Sequence, residues 1–252
     1  MVDRQAHVLS LGKSFALLGC LKQAGSSLSL KELAERTGFP KSTIHNLLST
    51  MREFKAIEQD IDGRYRLGTY LFELGCAVEK QWNISKIAQP YLESICANVN
   101  ESVSVGVLDG HSVLILNSIV ASNPMRVITD IGTRLPIHAT ASGKVILAYM
   151  SDDEVKNLIG HSGMASFTPH TICDIHTMNN EIGQIREKGY AVENGEIRVG
   201  MRAVAAPIFD INGIVKYSIS VTGMFRKIDD ETLLKAMMLV VDAAAEITKR
   251  MR

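Results

Sequence analysis

Seven polar side chains crowd one short stretch, residues 41–51, KSTIHNLLSTM: Lys41, Ser42, Thr43, His45, Asn46, Ser49 and Thr50. Between them Ile44, Leu47, Leu48 and Met51 recur at i, i+3, i+4 and i+7, the spacing of one apolar helical face. With that face turned inward at ~100° per residue, Ser42, His45, Asn46 and Ser49 point outward and Thr50 lies at the side. Short hydroxyl, amide and imidazole groups can approach base edges and phosphates without filling a DNA groove. Lys41 stands at the helix start, where backbone N–H groups also favour a phosphate.

Other stretches carry chemistry-bearing residues in patterns that fall short of a site. TASGK, residues 140–144, lacks a phosphate loop's first glycine, having His138 there, and Val145 replaces the Ser/Thr that should follow the lysine. His170-x-x-Cys173-x-x-His176, with His161 nearby, offers zinc-type ligands, but the spacing is not that of a finger. Ser142 between Ala141 and Gly143 is not a nucleophile elbow, and no acid–base partner is identifiable. The expectation is therefore no metal, no cofactor and no catalytic residue. Cys20, Cys76, Cys96 and Cys173 are far apart and form no C-x-x-C pair, which points to reduced thiols.

The elements that must position these groups follow from periodicity. Residues 10–24 read as a helix with Leu11, Phe15 and Leu18 on one face. Ser29-x-x-Glu32 is a capping-box pattern opening a second helix with Leu30, Leu33 and Ala34 as its stripe. Gly38 ends that helix and Pro40 restarts the chain into the third. Asp62-Gly63 then sits between two short strand-like runs, the signal of a tight hairpin, with Arg64 and Arg66 on one face by strand alternation and Tyr65 on the other. Three helices and a hairpin are the ground plan of a winged helix-turn-helix, whose third helix enters the major groove.

Beyond residue 68 the pattern is helical, with Leu71, Leu74, Gly75, Val78 and Trp82 in a stripe too apolar to stay solvated. A further helix follows after Asn83. The runs SVSVGVL, SVLILNSIV and MRVITDI are β-rich, with Asp109-Gly110 as a turn. TASGKVILAYM, DDEVKNLIG and TMNNEIGQIREKG are helical. YAVEN and MRAVAAPIFDINGIVKYSISVTG are strands, the latter folded at Asn212-Gly213, and residues 229–251 close as a helix. Interleaved strands and helices indicate a mixed α+β domain.

The 252 residues suffice for two domains. The start, MVDRQAHVLSLGKSF, lacks a secretion signal's apolar core, and no apolar run approaches the roughly 18 residues a membrane span needs, so the chain reads as cytoplasmic with no membrane partner. Net charge is zero, but residues 1–66 carry 10 Lys/Arg against 7 Asp/Glu, a weak pointer to nucleic acid at that end.

The helix-turn-helix segment and DGRYRLGTYLFELG resemble the N-terminal domain of the IclR family of bacterial transcriptional regulators. The similarity continues through LPIHATASGKVILAY, FTPHTICD and KGYAVENGEIRVGMRAVAAPIFDINGIVKYSISVTG, nearly the whole chain in order. The resemblance implies a winged helix-turn-helix DNA-binding domain over residues 1–67, a helical linker over 68–83, and a GAF/profilin-like effector-binding domain over 84–252. It implies a cytoplasmic, non-enzymatic regulator, commonly a repressor of a catabolic operon. Such a protein binds a pseudo-palindromic operator in double-stranded DNA as a homodimer or a dimer of dimers, and senses a small metabolite, often a carboxylate. Carried over by position, its pocket takes backbone contacts from Ala141 and Ser142. Glu193, Ala203, Ser220 and Thr222 are further lining, and Leu135 and Met201 are apolar wall. Thr140, Ala141, Ser142 and Gly143 form a helix mouth of small residues that suits an anion, and alternation puts Ser220 and Thr222 on one strand face. Many members have Arg at the position of Asn46, and some relatives have Asp at Glu193 and Cys at Ala203. An enzyme acting on a small organic acid, with residues 1–66 as an interaction module, is the competing reading.

Overall fold

The computed structural model describes residues 8–81, 83–225 and 231–251. Trp82 and residues 229–230, assigned above to the linker stripe and the last helix, lie outside them. The chain folds as two compact units, Met1–Trp82 and Asn83–Arg252.

The first unit runs α1 (Leu9–Ala24), α2 (Leu30–Thr37), α3 (Lys41–Glu53), β1 (Ile57–Gln59), β2 (Tyr65–Leu67) and α4 (Thr69–Gln81). The Ser29/Glu32 capping box forms as its spacing requires: Glu32 N donates to Ser29 Oγ at 3.2 Å and Ser29 N to Glu32 Oε2 at 2.7 Å. Gly38 closes α2 with φ +70°, a conformation that costs a side-chain-bearing residue energy and glycine nothing. Leu17, Leu21, Leu28, Leu33, Ile44, Leu48, Ile57 and Tyr65 make one core. Because Ile57 and Tyr65 belong to it, the hairpin is part of the fold and not an appendage; each fully buried aliphatic side chain contributes roughly 1.5–3 kcal/mol.

The face assigned to α1 is corrected. Leu11 is 57% and Phe15 64% exposed, while Leu17 and Leu21 are buried and Leu18 packs beside them. Apolar residues lie on several sides of α1, so periodicity alone does not choose the buried side; contact with α2, α3 and β2 does. The hairpin turn also differs. It spans Asp60 to Arg64, held by the Asp60 Oδ1 that accepts from Asp62 N and Arg64 N at 3.1 and 2.8 Å, with Gly63 at φ +76°.

In the second unit α5 (Asn83–Val99) leads to β3 (Ser102–Asp109), β4 (Ser112–Ile119), β5 (Arg134–Pro136), α6 (Ala141–Leu147), α7 (Asp152–Ser162), α8 (Ile175–Lys188), β6 (Ala191–Asn194), β7 (Arg202–Phe209), β8 (Val215–Gly223) and α9 (Glu231–Met251). The six strands form one antiparallel sheet ordered β5-β4-β3-β8-β7-β6. Helices α5 and α9 pack together over β3, β4, β7 and β8. Ala203 and Ala205 of β7 point instead into the cluster built by α6, α7 and α8, and by alternation Val204, Ala206 and Ile208 face the other way. A sheet covered on both faces is the GAF/profilin-like mixed arrangement that the resemblance implies.

Two local expectations fail here. MRVITDI is not a strand: residues 126–130 have no ladder partner, and the segment crosses as a loop. The strand missed in its place is β5, three residues at the sheet edge ending in Pro136, too short to register as an alternating run.

Candidate functional site

α3 places Lys41, Ser42, His45, Asn46 and Thr50 in solvent, with Thr43 and Ser49 half-buried at the margins. Ile44 and Leu48 anchor the opposite face with at most 1% exposure. Thr50 Oγ1 donates back to Asn46 O at 3.2 Å, leaving the Asn46 carboxamide outward. A row of uncharged donors and acceptors therefore runs along one exposed helical face.

The hairpin arginines differ from each other, and the pairing expected from alternation is corrected. Arg64 precedes β2 and lies in the turn, where strand alternation does not apply. Its Nη2 reaches Ser27 O at 2.9 Å and Glu32 Oε2 at 2.9 Å, while Leu28 and Tyr65 exchange backbone hydrogen bonds at 2.9 and 2.7 Å. Arg64 thus ties the hairpin to the start of α2. The Ser29 backbone and side-chain bonds, with Arg64, hold the Glu32 carboxyl down at about 2, so it stays ionised as the arginine's partner. Arg66 sits opposite Glu58 and contacts it at 2.8 Å, but its side chain is 61% exposed. Such a solvent-exposed pair contributes little, ~0–1 kcal/mol, and can exchange for another anion.

In the second unit a cavity of about 620 Å³ opens between the sheet and α6. All eight positions carried over from the resemblance line it. Leu135 comes from β5, Ala141 and Ser142 from α6, Glu193 from β6, Met201 from the turn before β7, Ala203 from β7, and Ser220 and Thr222 from β8. Register explains the convergence: Glu193 pairs with Ala203, Ala203 with Thr222, and Ser220 with Ser104 of β3. Ser104 Oγ and Ser220 Oγ lie 3.1 Å apart, making a hydroxyl pair on the floor.

α6 starts so close to the preceding loop that a Cβ on Gly143 would lie 2.0 Å from Ile137 O. Gly143 is there for packing, and its N–H is taken by the Thr140 Oγ1 cap at 3.1 Å. The helix mouth therefore offers fewer free donors than its small residues suggest, and a helix of seven residues adds little dipole. The cations lie elsewhere. Arg126, in the loop mistaken for a strand, and Arg198, in the turn after β6, both line the cavity, and among the described residues neither forms an ion pair. Sequence reasoning missed both; their neighbours RVITD and EIRVG carry no periodic signal.

Behind the cavity wall sits a buried charge cluster. Lys144, 1% exposed, donates to Glu181 Oε1 at 2.9 Å, Val192 O at 2.8 Å and Glu196 Oε1 at 2.6 Å. All three ammonium protons are committed, as a buried lysine requires. Glu193, 1% exposed, accepts on Oε1 from Glu196 N and, at 3.1 Å, from Ile197 N. Burial pushes its carboxyl up to about 7 against those two backbone bonds, with the Glu196 charge adding to the rise and Lys144 opposing it. Burial likewise raises Glu196, against the pull of Lys144. The FTPHT segment buttresses this turn: Thr168 Oγ1 donates to Gly195 O and Thr171 Oγ1 to Glu196 O, each at 2.6 Å. His170 N donates to Thr168 Oγ1 within that buttress, Cys173 is exposed beyond it, and the described residues contain no group of three or more His, Cys, Asp or Glu placed to hold a metal. No helix among them is long and apolar enough to cross a membrane.

Comparison with known proteins places this geometry. Residues 10–60 match the IclR helix-turn-helix domain, and residues 76–249 match the bacterial transcriptional regulator IclR C-terminal domain. The chain is 31% identical to the transcriptional repressor IclR of Escherichia coli K12, over 96% of this chain and 89% of that one. It is 32% identical to the HTH-type transcriptional regulator KipR of Bacillus subtilis, over 94% of this chain and 95% of the other. The crystal structure of an IclR transcriptional regulator from Alicyclobacillus acidocaldarius superposes with a TM-score of 0.85 at 26% identity, covering 98% of this chain and all of that one. The polar-faced helix α3 in one unit and the cavity lined by Arg126 and Arg198 in the other sit within those two matched regions, and the chain belongs to the IclR family of bacterial transcriptional regulators.

Proposed function

We propose that this regulator is a homodimeric repressor of a catabolic operon that holds a pseudo-palindromic operator until a small carboxylate enters the cavity of its second unit. The observation that carries the reading is the cavity. At its edge stand two arginines with no ion-pair partner among the described residues. Hydroxyls of Ser104, Ser220 and Thr222 form its floor, and Leu135, Ala203 and Met201 are apolar wall. A site of this size, mostly apolar with a few converging polar groups, suits a small organic anion. Ala141 and Ser142 supply backbone N–H groups beside it.

On DNA, Lys41, Ser42, Thr43, His45, Asn46, Ser49 and Thr50 face the major groove, and Arg66 exchanges Glu58 for a phosphate. Arg64 acts through the hairpin's position and not by direct contact. The exposed apolar stripe of α4, with Leu74 at 46% and Val78 at 44% exposure, is the face offered to a second copy. Half-site symmetry in the operator then mirrors the dimer's. The carboxylate is bound and released unchanged, and its influence on DNA is limited to its differential affinity for the two states.

The test is a fluorescence anisotropy titration of the full chain on duplex from upstream of its own gene, with acetate, lactate, benzoate and 4-hydroxybenzoate added in turn. One acid should release the DNA, and Arg126→Ala with Arg198→Ala should abolish that release without weakening operator binding. Release that persists in the double variant contradicts the assignment of the cavity.

A further inference from the structure

Glu193 presents an unusual combination. One carboxyl oxygen is anchored by two backbone N–H groups, while Oε2 is buried with no hydrogen-bond partner among the described residues; Glu196 Oε2 is likewise unpartnered, but Glu196 is ion-paired to Lys144 and does not line the cavity. An ionised oxygen left unpaired away from water is costly, so it must gain either a proton or a donor from a ligand. The nearest cation cannot serve, because Lys144 spends its three protons on Glu181, Val192 O and Glu196. The same wall faces the cavity proposed above for an anion.

We infer that Glu193 is a proton-coupled ligand residue: as the anionic effector enters, Glu193 takes one proton from solvent, and a small turn of its carboxyl about the anchored Oε1 opens the buried Oε2 to the cavity, where it donates that proton as a hydrogen bond to the ligand carboxylate. This rests on the cavity being the effector site. Two carboxylates at hydrogen-bonding distance cannot readily both stay ionised, and sharing a single proton resolves the conflict. The charged groups around Glu193 fix which carboxylate is protonated. From the turn after β6 come Glu196, which repels a second negative charge, and Arg198. From α6 comes Lys144, already neutralised, with Glu181 of α8 behind it. From the loop before β5 comes Arg126. Arg202 of β7 is held by Asn194 and the Phe225 carbonyl, His170 lies against Gly195, and β3 and β8 contribute only hydroxyls. The two cations without an ion-pair partner among the described residues are thus arginines that an anionic ligand would itself occupy. Burial also holds the Glu193 carboxyl at about 7 before any ligand arrives, so protonation near neutrality is cheap.

The sign follows. Binding favours the protonated acid, so affinity is full below about pH 7 and falls as pH rises above it, by about tenfold per pH unit for one proton. The experiment is isothermal titration calorimetry of the full chain with acetate, lactate and benzoate, each ionised throughout, in phosphate and in Tris near pH 8. A difference in heat between the two buffers reports proton uptake, and the expected value is about one proton per bound acid. Glu193→Gln keeps an oxygen for the two backbone N–H groups and puts an amide donor in place of Oε2. It should bind with no uptake and with affinity constant within about twofold across the same pH range. His170→Gln should retain the wild-type uptake. Binding without proton uptake, or a Glu193→Gln variant that still takes up a proton, overturns the inference while leaving the cavity assignment standing. If neither these three acids nor 4-hydroxybenzoate binds the wild-type chain, the cavity assignment falls and this inference with it.

Discussion

Gly143→Ala and Gly183→Ala add the same methyl group to two helices of the second unit, and the geometry predicts opposite outcomes. At Gly143 the new Cβ would lie 2.0 Å from Ile137 O and 2.6 Å from that residue's C and Cα, all backbone atoms. Ordinary contact begins at 3.4 Å, so α6 and the Ile137 strand-end must separate by about 1.4 Å. No side chain can rotate out of the way, which places the cost at the upper end of overpacking, ~3 kcal/mol or more. At Gly183, in the middle of α8, nothing lies within 4 Å of the position a methyl group would take. Replacing a mid-helix glycine there should stabilise by roughly 0.5–1 kcal/mol. For a unit of this size 1 kcal/mol moves the midpoint by about 2–4 °C, so the first variant should melt about 6–12 °C lower and the second about 1–4 °C higher. Thermal unfolding of the full chain followed by circular dichroism reads both. Gly143→Ala melting at the wild-type temperature would refute the close approach of α6 that shapes the cavity floor.

Three further outcomes follow from the DNA-binding unit and the linker. Asn46→Arg should move base preference from adenine toward guanine at one position in each half-site, by ~1–3 kcal/mol, since carboxamides pair with adenine and guanidinium groups with guanine; selection from a randomised duplex pool reads this, and an unchanged preference everywhere rules it out. Ser29→Ala should cost about 1 kcal/mol through loss of the helix cap, seen as a lower unfolding midpoint of the first unit, and no change would mean the capping box does not operate. Leu74→Glu with Val78→Glu should weaken self-association by more than ~10-fold, because a carboxylate must be desolvated in the contact; sedimentation showing an unaltered assembly would move the dimer contact off α4.

Legibility in the sequence tracked how local the determining interaction is. The Ser29/Glu32 cap and the inward face of α3 were readable because their partners lie within one or two helical turns. The β3–β4 turn at Gly110-His111 and the fold at Gly213 were marked by glycines that adopt positive φ. The eight cavity positions came from family resemblance; periodicity contributed only the shared face of Ser220 and Thr222. What stayed hidden depends on partners distant in sequence. The buried side of α1 is chosen by two other helices and the strand β2. Arg64 turns to Glu32, 32 residues away, and Lys144 to Glu181 and Glu196, 37 and 52 residues away. Arg126 and Arg198 sit in loops, where no period announces which side chain faces a cavity. A lysine inside the apolar run KVILA was nonetheless a usable sign, since a buried ammonium demands acceptors somewhere.

The proposed regulation depends on α3 reading an operator through its exposed polar face. The direct measurement compares the full chain with a His45→Ala, Asn46→Ala variant on operator and scrambled duplexes across a range of salt concentrations; both side chains are exposed, so the fold should survive. The wild-type chain should prefer the operator by ~1,000-fold or more, with affinity falling as salt rises, and the variant should lose most of that preference while keeping the salt dependence. Equal binding of operator and scrambled duplex by the wild-type chain would contradict it.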